Sequence, residues 1–210
     1  MQTILWPALI ALAITLLRLA GELQGWPSTL FNPAPGGGGA AIGISWLPFL
    51  FGPYFAWKLA RSGHAPRRPW AAAGLALLGI AVSIGTFAGA QALKAGFGLL
   101  VVAFLASLAA SFLPWRAWPE LGRQLFLYAL ASRLPVVLVM LFAILGRWGT
   151  HYDALPPNPP PALAAMSPVG QWFAIGVVPQ LTIWIAQTVL VGTLIGAVVV
   201  ALAKPKPSGH

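Results

Sequence analysis

Six apolar runs, each near the length needed to cross a bilayer, dominate this sequence. A hydrocarbon core about 30 Å thick takes about 20 apolar residues at 1.5 Å each. The runs occupy 3–21, 41–60, 70–91, 95–113, 125–146 and a stretch within 169–203. No loop between them is large enough to fold alone. The expected fold is therefore all-α: one transmembrane domain over 1–203, a bundle of six membrane-spanning helices, and a tail at 204–210.

Composition narrows the class further. Charged residues make up 7% of the chain, against about 25% in soluble domains. That excludes a water-soluble globule, a disordered chain and a nucleic-acid partner. The formal charge of +9 follows from 12 Lys and Arg against 3 Asp and Glu. No Cys is present, so disulfides and thiolate chemistry are excluded. The first run lacks a basic n-region and an A-x-A pattern. It reads as a retained helix.

The basic residues set an expected orientation. With both ends inside, the inner segments hold Lys58, Arg61, Arg67, Arg68, Arg116, Arg123, Lys204 and Lys206, and the outer loops hold Lys94 and Arg147. The positive-inside rule reads this as N-in, C-in, which needs an even number of spans. Most Trp residues fall near run ends, at headgroup level. The expected location is a membrane, a bacterial inner (plasma) membrane with cytoplasmic termini. The basic loop carrying Arg61, Arg67 and Arg68 is expected to meet anionic lipid headgroups.

Kinks are expected in the second, fifth and sixth helices, at Pro48 and Pro53, at Pro135, and at Pro179. The 169–203 stretch would measure roughly 52 Å as one straight helix. It is expected to divide into an interfacial segment at 169–178 and a span at 179–203, with one tilted, kinked helix as the alternative. Small residues four apart, Gly192 with Gly196 and Gly85 with Gly89, mark close helix packing. The prolines at 156–161 are expected to stiffen the last large loop into an extended spacer. Gly36 to Gly39 reads as a turn or a close-packing site.

Few polar groups occupy the runs, and these are the candidate binding residues. Arg133 lies deep in the fifth run, where an ionisable group is costly and is by default a functional hypothesis. Gln124, Tyr128 and Ser132 share its neighbourhood. Arg18 and Glu22 are spaced i,i+4 on one face of the first run. They read as a structural ion pair or, more sharply, as a proton or cation site on Glu22. Gln180 and Gln187, seven apart, share a face of the last run.

Catalytic chemistry is not expected. His64, His151 and His210 lie in loops or the tail, and no H-E-x-x-H, G-x-S-x-G or intramembrane acid pair occurs. No cofactor or metal is expected. The first functional reading is an accessory or assembly subunit of a larger membrane complex, with membrane lipids and other membrane subunits as partners. The alternative is a small transporter or lipid-handling permease with a polar midplane site around Arg133. A membrane-embedded lipid enzyme is the third.

Overall fold

The computed structural model describes residues 2–37, 39–94 and 96–204. Ala95 and the tail beyond Lys204 lie outside them. The described chain is all-helical. Its elements are α1 (Gln2–Leu23), α2 (Leu47–Arg61), α3 (Pro69–Ala92), α4 (Phe97–Ala110), α5 (Pro119–Gly146), α6 (Pro161–Ala164), α7 (Pro168–Gln171), α8 (Val178–Leu181) and α9 (Ile183–Ala203). A π-helical turn, Trp172–Val177, joins α7 to α8.

Five helical stretches are long and apolar enough to cross a membrane: Thr3–Leu23, Pro69–Ala92, Gly98–Arg116, Pro119–Gly146 and Pro168–Ala203. Their outward faces agree with lipid. Trp6, Leu77, Ile84, Leu105, Leu138 and Phe142 are each more than half exposed. Apolar surface on that scale is a liability in water and the norm in a bilayer. The chain is a helical membrane protein.

Two expected boundaries change. The second run was expected at 41–60, but α2 has 15 residues and starts at Leu47. That is roughly 22 Å of helix. The N–H groups of Ala41 and Ile42 instead donate to the Thr29 and Leu30 carbonyls, at 3.3 Å each, which keeps 41–46 in the loop. Pro48, in the first turn of α2, then suits a helix start. The last stretch also differs. The helix breaks at Thr182 (φ −121°, ψ −84°) rather than at Pro179. Pro179 cannot donate to the preceding turn. The chain widens ahead of it into the π-turn, where the Val178 N–H donates to the Phe173 carbonyl.

Contacts gather the described residues into two compact units. The first comprises 2–7, 45–130 and 182–204. Its central helix is α9, which packs against α2, α3 and α4. Glycine makes the α2–α9 contact possible. A Cβ on Gly52 would collide with the Gly192 backbone, and one on Gly196 would fall 2.7 Å from the Ala56 Cβ. The Gly192/Gly196 pair is thus an intramolecular packing surface. Gly85 and Gly89 face open space. Phe51, Phe55 and Tyr128 form an aromatic cluster, with centroids 5.3 and 5.5 Å from Tyr128. The Trp118 indole donates to the His64 carbonyl at 2.9 Å and fixes the basic loop.

The second unit comprises 8–44 and 131–181. Its apolar core joins Val136, Met140, Ala143 and Tyr152, with Leu19, Ile44, Val139, Trp172 and Ile175 packed around them. The proline run is not simply extended. It bends at Asn158, whose φ is 51°, and ends in the single turn α6.

Candidate functional site

The second unit buries a charged cluster at the end of α1. One helical turn separates Arg18 from Glu22, so both side chains leave the same face. The Arg18 Nε donates to the Glu22 Oε1 at 2.8 Å. His151 completes the cluster from the loop after α5. Its backbone N–H donates to Oε2 at 2.8 Å, and its Nδ1 lies 2.6 Å from Oε1. A carboxylate only accepts, so Nδ1 carries the proton in either charge state of the ring. The Glu22 side chain is completely buried.

Arg18 also reaches the long loop after α1. Its Nη2 donates to the Asn32 carbonyl at 3.2 Å and to the Gly37 carbonyl at 3.0 Å. The glycine at 37 is required twice over. Its φ is +83°, and a Cβ there would lie 2.9 Å from the guanidinium. The Gly36–Gly37 turn therefore offers a carbonyl to a cation and serves as a close-packing site.

The second loop has its own brace. Asp153 accepts from the Gly149 and Thr150 N–H groups at 2.9 and 2.7 Å, and from the Thr150 hydroxyl at 2.7 Å. Between Thr150 and Asp153, the His151 and Tyr152 rings meet with centroids 3.8 Å apart, tilted by 43°. The Tyr152 hydroxyl donates to the Thr15 carbonyl at 3.2 Å. Burial pushes the Tyr152 phenol up, although the Arg18 and Arg133 charges act against it. Burial also pulls the His151 pKa down, helped by the Arg18 charge and opposed by Glu22. The shift favours the neutral ring, whose unprotonated nitrogen is then Nε2.

Arg133 forms a second group in this unit. It is buried, and it stands 14 positions into the 28-residue helix α5. Its Nη1 donates to the Gln180 Oε1 at 3.3 Å. The Gln180 Nε2 lies 3.9 Å from the Met140 sulfur. The Trp172 indole, from the π-turn, donates to the Val137 carbonyl at 2.8 Å. Ring and amide from the 172–180 stretch thus hold α5 just past Pro135.

The remaining candidates fall elsewhere. Tyr128 belongs to the aromatic cluster of the first unit. Gln187 donates to the Ser45 carbonyl at 3.0 Å, also in the first unit. Gln180 and Gln187 belong to different units, and the Thr182 break between them interrupts the helical register on which a shared face was expected. Arg61, Arg67 and Arg68 are exposed, Arg61 in the last turn of α2 and the other two in the loop after it. Among the described residues, no group of three or more His, Cys, Asp or Glu is placed to hold a metal ion.

Sequence reasoning missed His151. It stands 129 residues from Glu22, beyond the reach of any local spacing. The available signal was indirect. Glu22 borders the first apolar run with a single helical base beside it, so further donors had to come from a loop. The chain matches no family model, no characterised protein and no solved structure.

Proposed function

We propose that this protein is an accessory or assembly subunit of a larger membrane complex, and that the loops 24–44 and 147–153 form its docking platform. One observation carries the reading: the Arg18–Glu22–His151 cluster is spent on the chain's own loops. The Glu22 carboxylate accepts three N–H groups and has no exposed surface. That is the chemistry of a clasp, and it leaves no open position for a transported proton or cation. In the same reading α2 acts as a short sixth span. The helices then run N-in and C-in across a plasma membrane, bacterial inner membrane in type, with Arg61, Arg67 and Arg68 against anionic headgroups.

Extraction in mild detergent tests this. The expected result is a discrete particle holding this chain and a second membrane protein at fixed stoichiometry. A particle that is always monomeric and partner-free refutes the proposal.

A permease with its site at Arg133 is the second reading. The Arg133–Gln180 contact favours it, since it lies beside a π-turn and a proline, features frequent at functional sites. In that case Arg133→Ala abolishes flux while the variant still folds; unchanged flux eliminates the site.

A further inference from the structure

The first unit contains a groove of about 490 Å³ lined by Thr3, Leu5, Trp6, Tyr54 and Lys58. We propose that this groove is a binding site for one anionic phospholipid, with the phosphate on Lys58 and the glycerol and acyl region along Trp6 and Leu5.

The lining has two chemistries. Leu5 and Trp6 are largely exposed, at 54% and 69%, and offer an apolar wall. Lys58 stands at the polar end, its Nζ 5.3 Å from the centroid of the Tyr54 ring. The ring face holds the ammonium by cation–π attraction, so the cation is positioned before a ligand arrives. Thr3 adds hydrogen-bonding capacity. Pro7 has no N–H, so the helical bond to the Thr3 carbonyl cannot form. That oxygen suits a hydroxyl or ammonium hydrogen of a headgroup, and the Thr3 hydroxyl suits a phosphate oxygen. A wholly polar anion would leave the Leu5–Trp6 wall uncovered, whereas an amphiphile covers both parts.

Charge complementarity fixes the sign. Lys58 is one turn from Arg61 on α2, and Arg67 and Arg68 follow in the next loop. Residues 45–118 contain no Asp or Glu at all. The groove therefore opens at a cationic end of the unit, where an anionic headgroup is favoured over a zwitterionic one. This inference rests on the membrane reading and is independent of the docking platform.

Native mass spectrometry of the delipidated full-length protein in detergent tests it. The probes are phosphatidylglycerol, phosphatidylcholine of the same acyl chains, and inorganic phosphate. The expected result is one phosphatidylglycerol bound in preference to phosphatidylcholine. Lys58→Gln should weaken phosphatidylglycerol binding about five-fold and leave phosphatidylcholine unchanged. Trp6→Ala should weaken both lipids. Arg147→Gln, exposed and in the second unit, should change binding less than two-fold. Lys58 and Trp6 are both exposed, so these variants keep the fold; an unaltered thermal transition checks that. Wild-type affinity in Lys58→Gln overturns the proposal. So does equal binding of the two lipids, or displacement of the lipid by millimolar phosphate.

Discussion

Replacing Glu22 by Gln probes the clasp with little change of shape. The substitution keeps one acceptor oxygen but puts an NH2 where a carboxylate oxygen faces donors. In the native cluster, Oε1 accepts from Arg18 at 2.8 Å and from the His151 ring at 2.6 Å, and Oε2 accepts from the His151 amide at 2.8 Å. Whichever way the amide turns, at least one of those donors faces another donor. Arg18, itself buried with an 8% exposed side chain, also loses its counter-charge. Removing one partner of a buried pair costs about 3–5 kcal/mol, and both members are buried enough that no discount for solvent applies. Equilibrium unfolding in mixed micelles, followed by tryptophan fluorescence, measures the loss. A double-mutant cycle with Arg18→Met separates charge from packing. The two side chains share a bond, so the double variant should lose less than the sum of the singles, by about 0.5–3 kcal/mol. The Asn32 and Gly37 carbonyls stay unpaired in that variant, so it should not recover wild-type stability. A Glu22→Gln loss below about 1 kcal/mol, or strict additivity, refutes the reasoning.

Three further outcomes are expected. Burial holds the His151 pKa below its ordinary 6.5, so the folded state binds fewer protons than the unfolded one. The stability this contributes is complete above about pH 6.5 and is lost as pH falls toward the lowered value; thermal unfolding between pH 7.5 and 5 should show the decline, and His151→Gln should flatten it. Gly52→Ala should destabilise by about 1–3 kcal/mol, because its Cβ meets the Gly192 backbone, while Gly85→Ala, in open space, should be neutral or slightly stabilising; equal effects in the same unfolding assay contradict the α2–α9 packing. A His64→Cys variant should resist an impermeant thiol reagent in intact cells, and strong labelling overturns the N-in orientation.

The spans were legible because length and apolarity are local properties of the chain. α1, α3 and the core of α5 follow the expected runs closely. α2 was misjudged because residues 41–45 are apolar enough for lipid, yet their backbone is drawn to the Thr29 and Leu30 carbonyls. Hydropathy does not record such a bond. The Arg18–Glu22 pair was legible from its i,i+4 spacing. The role of Arg18 as a loop anchor was not, because it depends on carbonyls presented by a turn whose glycines have positive φ. Gln180 and Gln187 misled for a geometric reason. Arithmetic at 3.6 residues per turn fails once a break at Thr182 intervenes, and Pro179, three residues earlier, was the nearest visible warning.

The most direct test of the account is amide hydrogen exchange on the intact protein in detergent. If the cluster clasps both loops, the His151 amide, buried against the Glu22 carboxylate, should exchange far more slowly than a free loop amide, and Glu22→Gln should release it. Exchange of the His151 amide at the unprotected rate in the wild-type protein would contradict the clasp, and the proposed docking platform would fall with it.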